Sequence, residues 1–363
     1  MEKIKALIVK IGGNMCNLKC KYCFYCNLDQ QKQTIMSKFL LEDLIKQSLK
    51  IEEKRVHFIW HGGEPLLCGI DYFYKIVEYQ KKYKKADQKI RNSLQTNGIL
   101  LNEEWLSFFK EYNFYLGISI DGDRESHNVQ RIFPSGEGSF DYVVRSIKLM
   151  QQKNFNFGVI QVLTKQNLER CDKIFDFFAK EIKLQKWAIN QMCYVLKNGK
   201  ISDDSITNQE YYSYIKRTFD MWLEYDKSYL SIREIDNLLS GVYKFRPNNC
   251  SYNGTCGQYL CIDYNGDVYP CDRFSSNQKF LFGNLTKQSL LDIVLSKNRQ
   301  QFISEINSPY INCIDCEKRR FCNNGCPHHR EGGISGGYVY CQSRQRLYDY
   351  FSEIKVDIEK ERR

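Results

Sequence analysis

The chain has 363 residues, of which 42% are apolar and 14% aromatic, enough to fill a large barrel-type domain and a smaller second one. Its formal net charge is +10, but the lysines and arginines alternate with acidic residues, which indicates a solvated surface rather than a nucleic-acid partner. It has no signal peptide and no run of about 18 apolar residues, so we expect a cytoplasmic protein without a membrane partner.

Short β-rich runs alternate with longer helical patterns in the first half of the chain, which is typical of βα units around a parallel sheet. Strands are predicted at residues 6–11, 56–60, 90–95, 115–120, 157–163 and 187–191. Helices are predicted at residues 37–49, 70–83, 102–111, 140–153 and 167–180. We therefore predict an α/β fold, with a partial (β/α)6 TIM-like barrel over residues 1–240 and a small cysteine-rich domain with a C-terminal helix over residues 241–363.

Residue types that carry chemistry follow the predicted strands. The first strand runs into a cysteine-rich stretch, the second into HGGEP at 61–65 and the third into TNG at 96–98, while the fourth ends near Ser119. Because the carboxyl ends of the strands of a parallel barrel share one face, we expect these four segments to converge on one pocket.

The cysteine-rich stretch contains Cys16, Cys20 and Cys23 in the spacing C-x3-C-x2-C. A cytoplasmic protein keeps its thiols reduced, so clustered cysteines indicate metal binding or catalysis. Three thiolates in one loop can hold an iron–sulfur cluster and leave one iron open. With Cys26 as a fourth ligand, the same stretch would instead form a closed structural zinc site.

Together with Tyr22 and the glycine pair before Glu64, the triplet makes residues 1–240 resemble the radical S-adenosylmethionine (SAM) enzymes. The resemblance implies a [4Fe-4S] cluster on the three cysteines, whose fourth iron binds SAM and whose electron releases a 5′-deoxyadenosyl radical. It also implies the SAM contacts: Tyr22 at the adenine, Gly62, Gly63 and Glu64 at the methionine amino group, Ser119 at the ribose and Arg131 at the carboxylate. The alternatives are turn glycines, an ordinary strand-end hydroxyl and a surface ion pair.

A second group of cysteines lies between residues 250 and 341, among short turns. Their spacing is compatible with zinc ribbons. They also resemble the SPASM extension of the radical enzymes, which implies two further, fully ligated auxiliary [4Fe-4S] clusters. The implied ligands are Cys250, Cys256, Cys271 and Cys326 for the first, and Cys313, Cys316, Cys322 and Cys341 for the second. Cys261 is left over in this assignment, close in sequence to Cys256.

Segments such as SLQTNG, GISIDG, NGTC and DVYPCD resemble the anaerobic sulfatase-maturating enzymes, nearly end to end. This resemblance implies that a cysteine or serine of a sulfatase is oxidised to formylglycine, with Asp272 as the base and an auxiliary cluster as acceptor of the second electron. We expect burial and the neighbouring cluster to raise the pKa of Asp272. The alternative is that Asp272 only caps the following turn.

Two other functions stay open. The same architecture serves maturases that crosslink or epimerise ribosomally made precursor peptides, and Asp123, where related maturases usually have proline, leaves room for this outcome. The short stretch before the first strand leaves no room for a leader-binding domain, which mildly favours a sulfatase substrate. Both enzyme readings imply a flavodoxin- or ferredoxin-like electron donor. A non-catalytic zinc-ribbon scaffold would explain the cysteines but not the convergence of the other motifs.

Overall fold

A computed structural model of the chain describes residues 4–23, 34–52, 54–196, 198–225 and 229–354. Its strands are β1 Ala6–Lys10, β2 Arg55–His61, β3 Lys89–Thr96, β4 Phe114–Ser119, β5 Phe157–Leu163, β6 Lys186–Gln191, β7 Ser231–Ile232, β8 Tyr259–Ile262, β9 Asp267–Tyr269, β10 Gly283–Asn284, β11 Arg330–Glu331 and β12 Gly337–Tyr338. Its helices are α1 Lys38–Ile51, α2 Ile70–Tyr83, α3 Glu103–Glu111, α4 Arg124–Asn128, α5 Phe140–Gln152, α6 Cys171–Asp176, α7 Asn208–Glu224, α8 Arg233–Val242, α9 Cys250–Asn253, α10 Leu290–Val294, α11 Lys297–Asn307, α12 Arg319–Cys322 and α13 Cys341–Glu353. Among these described residues, no helix combines the length and apolar character needed to cross a bilayer.

The chain forms two compact units, each built from separated segments. The first unit comprises Met1–Ser119, Gln130–Phe157 and Gly257–Ser304. The second comprises Ile120–Val129, Gly158–Cys256 and Glu305–Arg363. The division into domains at residue 240 stays a prediction.

In the first unit the strands lie in the order β10-β9-β8-β1-β2-β3-β4. From β8 to β4 neighbouring strands are parallel, whereas β9 and β10 pair antiparallel. All five residues of β1 are buried, as expected for a central parallel strand that reads as a continuous apolar run. The predicted α/β class with a mostly parallel sheet is confirmed.

Helices of the first unit begin where the sequence supplies a cap. The Ser37 hydroxyl accepts a hydrogen bond from the Leu40 amide at the start of α1, and the Asn102 side chain accepts one from Trp105 at the start of α3. The apolar faces of α2 and α3 meet at Phe73, whose ring lies edge-on to Trp105 with centroids 5.2 Å apart. The predicted helices at 37–49, 70–83 and 102–111 are confirmed to within two residues.

The second unit contains the parallel strands β5, β6 and β7, with helices α7, α8 and α13 in contact with one another. The Phe219 and Phe351 rings stack with centroids 3.7 Å apart, joining α7 to α13. The predicted helix at 167–180 is wrong as a single element. A capping box between Thr164 and Asn167 starts a 3-10 turn, which is followed by α6 and a π-helix at Phe177–Glu181.

Candidate active site and cluster sites

The cysteine triplet lies in a loop that directly follows β1 in the first unit. The Lys19 and Lys21 amides donate hydrogen bonds of 2.7 and 2.9 Å to the carbonyls of Ile132 and Gln130, which fix the loop against a second segment of the chain. A further bond of 3.0 Å, from the Cys23 amide to the Cys20 carbonyl, closes a tight turn. The backbone therefore gathers two thiols on one turn.

The thiol of Cys16 shares this site. The residue keeps an exposed surface, but the protein around its sulfur is the largest cause that raises its pKa to about 12. The Glu64 carboxylate and the thiols of Cys20 and Cys23 act in the same direction, and a hydrogen bond from the Leu18 amide acts in the opposite one. Three thiolates together are unfavourable unless a positive group offsets their charge. The donor set thus fits an iron–sulfur cluster, whose iron ions supply that charge. Cys26 lies outside the described residues.

The glycine pair after β2 permits a close approach to this loop. The Gly63 amide donates to the Gly13 carbonyl at 2.8 Å, and the Glu64 amide donates to the Met15 carbonyl at 2.7 Å. A Cβ atom on Gly63 would lie 2.1 Å from the Met15 carbonyl oxygen, and one on Gly62 would lie 2.9 Å from that of Gly13. Side chains at these positions would push the segment away from the cysteine loop.

The Glu64 carboxylate joins the ends of β2 and β3. It is 1% exposed and accepts hydrogen bonds from the Leu66 amide (3.0 Å), the Thr96 hydroxyl (2.8 Å) and the Asn97 amide (2.7 Å). Burial raises its pKa to about 7, against the effect of these donors. Its predicted contact with the methionine amino group stays a prediction.

Two further predicted SAM contacts meet beside the cysteine loop. The Arg131 guanidinium carbon lies 5.4 Å from the centroid of the Tyr22 ring, and Arg131 is 7% exposed. The Ser139 hydroxyl donates to the Arg131 carbonyl at 2.9 Å, which holds this segment in place. Arg131 is therefore buried, whereas the alternative interpretation placed it at the surface.

The ends of β3 and β4 add polar side chains. Ser119 accepts a hydrogen bond of 2.9 Å from Gln95, so its hydroxyl is oriented by the neighbouring strand. Sequence reasoning did not name Asn97 as a site residue, although the TNG motif pointed to it. Its amide nitrogen lies 2.7 Å from the Asn17 oxygen and 3.8 Å from the Cys16 sulfur. Asn97 thus links the third strand to the cysteine loop.

Asp272 lies in the first unit, half-buried among basic side chains. Burial is the largest single influence and raises its pKa, but the neighbouring His61, Arg273 and Lys10 and a hydrogen bond from Cys271 bring it below the ordinary value. These basic neighbours were not apparent from the sequence. The effect of a neighbouring cluster on the pKa of Asp272 stays a prediction.

Lys10 and His61 were both missed as neighbours of Asp272. Lys10 is fully buried, and its ammonium lies 3.0 Å from Asp263 and 3.3 Å from the Ser275 hydroxyl. The Nδ1 atom of His61 is buried, and within the described part of the chain it has no hydrogen-bond partner. The only signal for His61 was its place directly before the glycine pair.

Four of the C-terminal cysteines meet within the second unit. They line one pocket and are the predicted ligands of the second auxiliary cluster: Cys313, Cys316, Cys322 and Cys341. Burial raises the pKa of Cys341 to about 11, and the other three thiols add to that shift. As in the first unit, this donor set fits a cluster that supplies positive charge.

The predicted ligands of the first auxiliary cluster are divided between the two units. Cys250 and Cys256 line a second pocket, in the second unit. Burial lowers the pKa of Arg330, and Cys326 lies near enough to Arg330 to act against that shift. Cys271 belongs to the first unit. Their joint ligation of one cluster stays a prediction. Cys261 is fully buried and packs with Ile8 and Tyr269, as a core thiol does.

Comparison with known proteins identifies similar families and structures. Residues 11–178 match the model of the radical SAM superfamily, and residues 250–317 match SPASM, described as an iron–sulfur cluster-binding domain.

The cysteine-type anaerobic sulfatase-maturating enzyme of Clostridium novyi (strain NT) is 30% identical over 96% of this chain and 95% of its own length. The serine-type enzyme of Bacteroides thetaiotaomicron is 30% identical over 96% of this chain and 89% of its own. The solved structure of native anSMEcpe with bound AdoMet covers 95% of this chain and 96% of its own, with 31% identity and a TM-score of 0.86.

Proposed function

Because the chain belongs to the family of the anaerobic sulfatase-maturating enzymes, within the radical SAM superfamily, we propose that it oxidises a cysteine or serine of a sulfatase to formylglycine. The observation that carries this proposal is the approach of the HGGE segment to the cysteine loop, with a Cβ position on Gly63 only 2.1 Å from the Met15 carbonyl. This contact supports the proposal, because Met15 directly precedes Cys16 and Gly63 therefore lies next to the cysteine loop.

The residues of the first unit fit the two groups that this chemistry requires. When bound, a [4Fe-4S] cluster and SAM supply the 5′-deoxyadenosyl radical that takes a hydrogen atom from the substrate side chain. The chain contributes the ligands and the orientation. We assign the cluster to Cys16, Cys20 and Cys23, and the SAM contacts to Tyr22, Gly62, Gly63, Glu64, Ser119 and Arg131.

Asp272 is the proposed acceptor of the substrate's thiol or hydroxyl proton. Burial raises the pKa of Asp272, but its basic neighbours lower it further, so the carboxylate is ionised and can accept a proton. The ammonium of Lys10 is the buried cation among these neighbours, and the adjacent Cys271 is a proposed ligand of an auxiliary cluster. A flavodoxin- or ferredoxin-like protein is the proposed electron donor.

The test of the function is incubation of anaerobically reconstituted enzyme with SAM, a reductant and peptides that carry a sulfatase target segment with cysteine or serine. We expect a serine peptide to lose two hydrogens, and a cysteine peptide also to exchange sulfur for oxygen, by mass spectrometry. Loss of two hydrogens with a new internal linkage would instead identify a crosslinking maturase and contradict the proposal.

The proton acceptor is tested by Asp272→Asn. Because only proton transfer is removed, we expect this variant to cleave SAM to 5′-deoxyadenosine but to lose oxidised peptide by a factor of about 10²–10⁴. Asp87→Asn makes the same change at an exposed site of the first unit and should behave as the unaltered enzyme. Normal product formation by Asp272→Asn would place the base elsewhere, whereas 5′-deoxyadenosine from Cys16→Ala would refute the cluster assignment.

A further inference from the structure

Arg344 lies in α13 of the second unit and is only 2% exposed. One of its terminal nitrogens donates to the Ser251 carbonyl at 2.7 Å and lies 3.6 Å from the Cys322 sulfur, and the other donates to the Tyr338 hydroxyl at 2.9 Å. Its guanidinium carbon lies 3.8 Å from the centroid of the Tyr252 ring and 4.5 Å from that of Tyr338. The side chain is thus held between two aromatic rings in one orientation.

The positive charge of Arg344 lacks an obvious counter-ion. In the part of the chain that the structure describes, its hydrogen-bond partners are carbonyls, a phenol and a thiol, and none is a carboxylate. Its Nε atom is buried and has no acceptor there either. A guanidinium stays protonated in proteins, and a buried charge without compensation is strongly unfavourable. Some negative group therefore belongs beside Arg344.

The predicted cluster ligands lie at the same place. Arg344 lines the pocket that is also lined by Cys313, Cys316, Cys322 and Cys341. Gln345 lines it too, and its amide nitrogen lies 3.9 Å from the Cys316 sulfur. Since α13 begins at Cys341, the two donors follow that ligand by three and four residues, which puts them on its face of the helix.

We propose that Arg344 is the counter-ion of the auxiliary cluster held by Cys313, Cys316, Cys322 and Cys341, and that it raises the reduction potential of that cluster. A cluster with four thiolates carries net negative charge, and reduction adds one more negative charge. A fixed positive charge and N–H donors to the thiolates favour the reduced state. This inference rests on one part of the proposed function, namely that these four cysteines hold a cluster.

A matched control lies two residues further along the same helix. Arg346 is exposed, donates to the Gln209 side chain at 2.7 Å and stacks over Tyr212 with its guanidinium carbon 3.7 Å from the ring centroid. It therefore shares the helix, the charge and an aromatic contact with Arg344, but not the cysteine pocket.

The experiment uses the full chain with Cys16→Ala, Cys20→Ala and Cys23→Ala, so that only the auxiliary clusters contribute to the spectrum. Redox titration followed by electron paramagnetic resonance then measures each cluster with neither SAM nor substrate. We expect Arg344→Gln to lower one midpoint potential by at least about 59 mV, which is a tenfold change in the ratio of reduced to oxidised cluster. Gln345→Leu should shift the same midpoint less, and Arg346→Gln should shift neither.

Iron analysis makes every outcome decisive. Arg344→Gln with full iron and unchanged potentials overturns the inference. If Arg344→Gln loses about four irons, Arg344→Lys must retain them, because lysine keeps the charge. Loss of iron in Arg344→Lys as well would mean that packing, not charge, explains the residue, and would also overturn it. Absence of iron from the parent chain would instead contradict the proposed cofactors themselves.

Discussion

At Gly63 the absence of a side chain determines how the candidate site is built. Its amide donates to the Gly13 carbonyl, and its Cβ position is occupied by the backbone of Met15, one residue before Cys16. Glycine is required here by contact rather than by an unusual backbone angle. The motif HGGEP showed two adjacent glycines, but only the contact with Met15 explains why the second of them, Gly63, cannot carry a side chain.

We expect Gly63→Ala to lower the rate of SAM cleavage by about 10²-fold, because an added methyl group displaces the segment that orients the cofactor by roughly 1 Å. The measurement is 5′-deoxyadenosine formation with reductant and SAM alone. Gly12→Ala is the control, since its Cβ would lie at ordinary contact distances of 3.4 Å from Cys68 and 3.5 Å from Met15. Equal rates in the two variants would contradict this explanation.

Among the elements, the short helix α4 explains the unusual Asp123. Its carboxylate accepts a hydrogen bond of 3.2 Å from the Ser126 amide and caps α4, and it also forms an ion pair with Arg170. Burial is the largest single influence on the pKa of Asp123 and raises it, but Arg170 and the hydrogen bonds from Ser126 together bring it below its ordinary value. The capping of α4 thus gives Asp123 a structural role. From the sequence alone, Asp123 had left open a precursor peptide as the substrate.

We expect Asp123→Ala to destabilise α4 by about 1 kcal/mol, the usual cost of a lost N-terminal cap. Amide hydrogen exchange at Ser126 and His127 measures this locally, and should become about fivefold faster. Asp123→Asn retains an acceptor of similar capping strength and should exchange nearly as the unaltered chain does. Unchanged exchange in Asp123→Ala would show that the cap contributes nothing.

At the scale of the whole molecule, crowded thiols make the stability of the protein depend on iron. We expect about twelve irons per chain after anaerobic reconstitution, and about four fewer in Cys322→Ala. Chelation of iron should lower the melting temperature, because the binding free energy of the clusters contributes to folding.

Cys171→Ala is the control for iron loading. Cys171 is buried, and its sulfur lies 3.5 Å from the Thr218 hydroxyl, in a part of the second unit that holds none of the predicted ligands. This variant should keep all of its iron. Zinc in place of iron, or a colourless reconstituted protein, would contradict the cluster assignment.

The sequence predicted those strands and helices whose bounds are set by neighbouring residues in the chain. Apolar runs indicated β1 to β6, and caps such as Ser37 and Asn102 indicated where α1 and α3 begin. The helix predicted at 167–180 is divided in the structure, because a 3-10 turn ends at Arg170 and a π-helix follows Asp176, whereas apolar periodicity alone does not distinguish these helix types. The spacing of Cys16, Cys20 and Cys23 likewise indicated one shared loop, whereas the two C-terminal sets of ligands were implied by the resemblance alone.

The sequence by itself determined the α/β class, the order of the motifs and the cysteine triplet, because all three follow from periodicity and spacing along the chain. Only the tertiary structure decided which polar and charged side chains have which neighbours: His61 and Lys10 lie beside Asp272, Arg131 beside Tyr22, and Arg344 beside the C-terminal thiols. The reason is that electrostatic interactions depend on distance and burial, and residues separated by many positions acquire both only when strands and helices pack.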